Sequence, residues 1–319
     1  RPGRTALRAR GQCWAAALLA LPLLAAPVGG YKCHTDVRLD PVAAGHKKGV
    51  ALDDTTLWNC SSRIPSVWPN TQERIRSLRL FKAWDPTWPE ESRQGVWRNL
   101  VAFVRANEAK VLVGAQITCR EKDDDIAWNW TRELLKLLGP KHVMGLAVGN
   151  EMELLWSKTA VDPSVTPQCL AKMWQGGYFW RQFVSRVEDF DKLGFEDVAV
   201  TNVFGGLVLA GLGSALPFFE DPRARVNSFL LNATRRFGSR YVFTFNLYPY
   251  FDPANSPDPG TTDSCSLALA RSTCVSGSGC NVAASTQLAR EKIRSLTGGS
   301  HNKLWLGETG WALSLLQNL

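Results

Sequence analysis

The sequence predicts a parallel α/β fold, closed into a (β/α)8 barrel of the TIM type. Three observations carry that expectation. From residue 47 onward, short apolar segments alternate with amphipathic ones, the rhythm of strand, helix, strand. The apolar segments, such as Leu146-Ala147-Val148, lack a two-residue alternation, as strands covered on both faces do. Polar or aromatic residues close nearly every strand, namely Lys82, Gln116, Glu151, Asn202, Tyr248 and Glu308. A barrel builds its site at the C-terminal ends of many strands in this way. A doubly wound nucleotide-binding sheet is the competing arrangement. Its glycine-rich loop has only one candidate, Gly211-Leu212-Gly213-Ser214-Ala215-Leu216, which lacks the third glycine, and there is no P-loop sequence.

Taken in order, strands are expected at Gly49–Leu52, Leu78–Ala83, Val111–Gln116, Val143–Gly149, Val198–Phe204, Tyr241–Leu247 and Leu304–Gly307. Helices are expected at Pro89–Ala106, Asp124–Leu138, Gln168–Leu193, Arg223–Phe237 and Ala283–Leu296, with a short one at Thr71–Ile75. Val96, Trp97, Leu100, Val101 and Val104 show the helical spacing of the first of these. Val198–Phe219 is uncharged, but its four glycines, Thr201, Asn202 and Pro217 favour a strand and a loop over a membrane span. Phe251–Cys280 is rich in Pro, Gly, Ser, Asp and Thr and reads as a long loop stapled by a disulfide. Seven strands are expected rather than eight. The chain stops at Leu319, so the eighth strand and helix are expected to be missing.

Composition bounds the remaining classes. At 319 residues, 45% hydrophobic and 21% charged, the chain has an ordinary globular make-up. Arg1, Arg4, Arg8 and Arg10 precede an apolar block, Trp14 to Ala26, which reads as a removed secretory signal peptide over residues 1–30. Setting those four arginines aside lowers the net charge from +8 to +4. No Lys/Arg run remains to recommend a nucleic acid partner, and no integral membrane span is expected in the mature chain. Beyond residue 30 stand Cys33, Cys60, Cys119, Cys169, Cys265, Cys274 and Cys280, which should mostly pair in an exported protein. Sequons at Asn59, Asn129 and Asn232 agree with export. His34, His46, His142 and His301 have no ligand spacing and no C-x-x-C occurs, so neither metal nor cofactor is expected.

Two strands end on an acid in the same manner. Val143-Met144-Gly145-Leu146-Ala147-Val148-Gly149-Asn150-Glu151 and Leu304-Trp305-Leu306-Gly307-Glu308 each run apolar, reach a glycine, and close on a carboxylate. Two carboxylates held in different environments can cleave a glycosidic bond, one donating a proton and the other attacking the anomeric carbon. Glu153, two residues past Glu151, is expected to point elsewhere and serve structure. Twelve tryptophans lie beyond residue 30. Trp311, then Trp84 and Trp88, are the candidates for stacking on sugar rings.

Val148-Gly149-Asn150-Glu151 and Gly307-Glu308-Thr309-Gly310-Trp311 resemble the two signature segments of glycoside hydrolase family 17, the β-1,3-glucanase-like enzymes. Asn246-Leu247-Tyr248-Pro249-Tyr250-Phe251 is similar to that family's sixth-strand segment, and the three occur in the family's order. The resemblance implies a single catalytic (β/α)8 domain over residues 31–319, incomplete at its C-terminus. It implies a retaining double displacement, with Glu151 as acid/base and Glu308 as nucleophile. Asn150 would bind the sugar 2-hydroxyl, Tyr248 would donate to Glu308, Arg79 would add positive potential, and Trp311 would line the cleft. Phe81 stands where the family usually has a tyrosine. The expected protein is a monomeric, secreted, extracellular or cell-wall hydrolase of β-glucan. The alternatives are a glucan transglycosylase using the same residues, or a non-catalytic carbohydrate-binding or cell-wall protein on the same barrel.

Overall fold

The computed structural model describes residues 48–52, 54–68, 71–209, 215–248, 281–301 and 303–309. The leader, Trp311, the segment 251–280 with its expected disulfide, and four of the cysteines considered above lie outside them.

Seven parallel strands form one sheet, in chain order except for a small hairpin set between two of them. They are β1 (Val50–Leu52), β2 (Ser77–Leu80), β3 (Lys110–Ala115), β4 (Val143–Asn150), β5 (Ala199–Gly205), β8 (Phe243–Asn246) and β9 (Leu304–Glu308). β6 (Glu220–Asp221) pairs antiparallel with β7 (Ala224–Arg225) as a separate ribbon. Every strand expected from the sequence is present.

Helices α1 (Asp54–Cys60), α2 (Glu90–Ala106), α3 (Glu121–Leu138), α4 (Pro167–Trp174), α5 (Tyr178–Lys192), α6 (Val226–Phe237) and α7 (Asn281–Thr297) lie between the strands. Their apolar stripes pack on the outer face of the sheet. Trp97, Leu100 and Val104 of α2 and Phe183, Val187 and Phe190 of α5 join the strand side chains in one large core.

A second, smaller cluster shows that the sheet is curled. Leu112 of β3, Ala147 of β4 and Val203 of β5 pack on the inner face with Met144 and Trp305. Trp305 belongs to β9, three strands away from β4 in the sheet order. A Cβ at Gly145 would lie 3.1 Å from that indole, so the glycine admits the crossing tryptophan. The outcome is a half-barrel whose inner face carries this apolar cluster beside the buried polar residues Arg79, Thr201, Thr244 and Asn246.

Three local expectations differ. No helix forms at Thr71–Ile75. The Thr71 N–H and hydroxyl both donate to Trp68 O, and Arg74 bridges Val67 antiparallel, so the segment is a turn. The helix expected over Gln168–Leu193 is broken into α4 and α5 by Gly176-Gly177, the second at φ 65°. The helix expected from Arg223 begins at Val226, because Ala224 and Arg225 are used by the ribbon. Among the described residues no helix is long and apolar enough to cross a membrane, and the uncharged 198–219 segment contains β5.

Candidate active site

All seven strands point the same way, so their C-terminal ends share one mouth. Two pairing slips occur there. β4 against β5 shifts between Ala147 and Asn150, and β8 against β9 shifts between Phe245 and Asn246, which sets Asn246 beside Glu308. A slip re-aims the side chains beyond it. Glu151, the first residue past β4, has φ 50° and ψ 43°. A non-glycine residue in that left-handed region costs about 1–3 kcal/mol and persists where neighbours fix it. Here the Glu151 N–H donates to Val203 O at 2.8 Å. Gly149, at φ 80°, has no room for a Cβ, which would lie 2.7 Å from the Phe179 ring.

The strand ends converge on Asn246. Its Nδ2 donates to Glu151 Oε1 at 2.8 Å and to Glu308 Oε1 at 2.8 Å. The two carboxylate oxygens are therefore separated by no more than twice 2.8 Å. The same amide accepts at Oδ1 from Arg79 Nη1 at 3.1 Å. Arg79 Nη1 also donates to Glu308 Oε1 at 2.7 Å, and Nη2 to Asn150 Oδ1 at 2.6 Å. Arg79 is only 6% exposed, so its pairing with Glu308 is a buried one and not a surface ion pair. Its guanidinium also lies 4.6 Å over the Phe81 ring, where a phenylalanine serves as well as a tyrosine. Tyr248 donates its phenol to Glu308 Oε2. Glu308 thus accepts from a cation, an amide and a phenol. Gly307 makes this possible, since a Cβ there would lie 2.6 Å from Asn246 Oδ1 and 3.0 Å from Arg79 Nη1.

Burial lowers the proton affinity of Arg79, while Glu308 beside it raises it. Guanidinium starts so basic that it stays a cation throughout. Glu153 does not point away into structure alone. It is 1% exposed, accepts from the Gly205 N–H at 2.5 Å, and is pushed up to about 8 by burial, with the charge of Glu151 adding to the rise. A Cβ at Gly205 would meet both Glu153 Oε1 and Glu151 Oε1, at 2.9 and 3.4 Å. The Glu153 carboxyl, its proton affinity raised by burial, thus lies with Glu151 against Gly205.

Five of the six residues singled out from the sequence, Arg79, Asn150, Glu151, Tyr248 and Glu308, meet at this mouth. Trp311 lies outside the described residues. Trp84 is fully buried and cannot meet a ligand, whereas Trp88 is partly exposed, with Lys82 Nζ 5.1 Å over its ring. Lys82 is paired with Asp85 at 2.7 Å. Asn202 sits in mid-strand, buried, accepting from Tyr241 at 2.5 Å. Asn246 was the residue missed. Its signal was a poor strand former closing an apolar strand, one residue from the same kind of end as Asn150. Among the described residues no group of three or more His, Cys, Asp or Glu could hold a metal ion. No known family model matches the chain, and no curated protein matches it significantly.

Proposed function

We propose that this chain is a retaining glycoside hydrolase acting on a β-glucan, with β-1,3-linked glucan as the favoured substrate. One observation carries the proposal: a single amide nitrogen lies 2.8 Å from an oxygen of each of two strand-end carboxylates. That spacing supports a retaining mechanism, for which about 5–5.5 Å is expected between carboxyl groups. An inverting one needs about 6.5–9.5 Å, to admit a water. On this reading the seven strands belong to a (β/α)8 barrel, the chain belongs to glycoside hydrolase family 17, and it acts after export, outside the cell or in the wall.

Glu308 is the nucleophile. Arg79, Asn246 and Tyr248 fix the aim of its carboxylate through the hydrogen bonds they donate to it. Its carboxylate attacks the anomeric carbon while Glu151 gives its proton to the departing glycosidic oxygen, leaving a glycosyl ester. Glu151, now a carboxylate, takes a proton from water. The hydroxide oxygen displaces Glu308 from the anomeric carbon, which returns to its starting configuration. Asn150 spends its Oδ1 on Arg79, which leaves its Nδ2 to donate to the sugar 2-hydroxyl.

The test is proton NMR of the first product formed from a β-1,3-glucan. β-anomer product, with turnover reduced to background in Glu308→Gln, is expected. α-Anomer product, or activity surviving that substitution, would overturn the reading. Products longer than the substrate would assign the same residues to transglycosylation, and binding without turnover would make the chain a carbohydrate-binding protein.

A further inference from the structure

Away from the strand ends, a cavity of about 340 Å³ opens where the turn between α4 and α5 meets α6. Its volume lies within the range of small-molecule sites, about 300–1,000 Å³. Four of its walls are aromatic: Trp174, Phe179, Trp180 and Phe229. They are locked to one another, with Phe179 stacked on Phe229 at 4.6 Å and Trp174 edge-on to Phe179 at 5.5 Å. Trp174 is 6% exposed, and among the described residues its Nε1–H has no hydrogen-bond partner. A buried indole N–H normally finds one. Gly177, in the left-handed conformation between the two helices, turns the chain so that Trp174 and Trp180 line the same space.

The rim holds Asn232, the acceptor of the sequon Asn232-Ala233-Thr234. On α6 it stands four residues beyond Ser228, so the two share one helix face over the cavity, and Arg225, the residue before the helix, lines it too. Thr234 is buried in the folded helix, its hydroxyl donating to Leu230 O and Leu231 O. Any transfer of sugar to Asn232 would therefore take place on the nascent chain, before α6 packs.

The geometry points to this cavity as the seat of the first N-acetylglucosamine of a glycan carried on Asn232. A covalent link at the rim fixes the first sugar within reach of the cavity. The apolar face of a pyranose is complementary to the ring of Trp180, the partly exposed one of the four aromatic walls. Its acetamido carbonyl is the acceptor that the Trp174 N–H lacks, and filling that vacancy removes an unsatisfied buried donor. The inference stands on the outer helices and is independent of the chemistry proposed for Glu151 and Glu308.

The experiment expresses the full chain in a glycosylating host through the secretory route and trims the glycans enzymatically to a single N-acetylglucosamine. Occupancy of Asn232 is read by peptide mass spectrometry, and melting temperatures are compared with those of Asn232→Gln. The trimmed protein should melt higher than Asn232→Gln by the effect of one net hydrogen bond, about 1–2 °C for a chain of this size. Trp174→Phe keeps an aromatic wall and removes only the N–H. The melting increment due to Asn232 should shrink in that background, whatever Trp174→Phe does to the unglycosylated protein. An unoccupied Asn232, or an equal increment with Trp and with Phe at position 174, would overturn the proposal.

Discussion

At the scale of single residues, Asn246 joins groups from three other strands to its own through one amide. It does not carry charge and does not bond to substrate in the proposed chemistry, so its removal should separate catalysis from binding. Asn246→Ala should lower kcat by about 10²–10³-fold, the usual effect of deleting one preorganised donor. The dissociation constant for glucan should change little. Steady-state kinetics beside equilibrium binding measures both, and an unchanged kcat would remove Asn246 from the machinery. Glu153 yields a different expectation. Its folded-state value is about 8 against an ordinary 4.5. Between those values the folded state keeps a proton that the unfolded chain has released. The stability linked to this carboxyl is therefore full below pH 4.5 and is lost as pH rises through 8. Melting temperature should fall across that window, and Glu153→Gln, which cannot ionise, should flatten the fall. A parallel fall in the variant would place the effect elsewhere. The two strand-end acids were legible because each follows an apolar run and a glycine. Asn246 was not, because its importance arises only when β2, β4, β8 and β9 arrive at one point.

At the scale of elements, the loops at the mouth are tied together. Cys119, just past β3, is joined by a disulfide to Cys169 in α4, the helix that follows β4. Glu121 pairs with Lys172 and Arg120 with Asp162 across the same seam, the latter at 3.0 Å. Replacing both cysteines with alanine should cost about 2–4 kcal/mol, the usual range for a loop of this length. Urea unfolding would show it, and reducing agent should then destabilise the parent more than the variant. The pairing could not be read from seven cysteines, since spacing alone leaves many connectivities open. The strands were legible because seven parallel strands buried on both faces leave continuous apolar runs. Helix α1 was not, because its seven residues span only two turns and establish no period. The break at Gly176-Gly177 was hidden by apolar residues that keep helical spacing on both sides of it.

At the scale of the whole molecule, the two ends of the sheet are held across the interior. β2 and β9 are separated by four strands in the sheet order, yet Arg79 and Glu308 meet at 2.7 Å with side-chain exposures of 7% and 15%. Breaking a pair this buried strands the remaining charge, at about 3–5 kcal/mol. Arg79→Met should destabilise the fold by that order, and adding Glu308→Gln should restore part of it. A double-mutant cycle by chemical denaturation measures the coupling, and purely additive losses would mean that the pair does not hold the curl. The curl itself was expected from the alternation of strands and helices. What the alternation does not encode is that Trp305 crosses to Gly145, because that contact depends on the radius of the sheet.

The guanidinium of Arg79 has one further implication, for sorting relatives of this chain. It serves Asn150 from one terminal nitrogen and Asn246 and Glu308 from the other. A lysine has a single nitrogen on a flexible stem and cannot reproduce that planar fork. On the chemistry proposed for Glu151 and Glu308, a homologue that keeps both glutamates but carries lysine at the position of Arg79 should therefore be inactive. One exchange that most similarity scores count as harmless becomes the diagnostic.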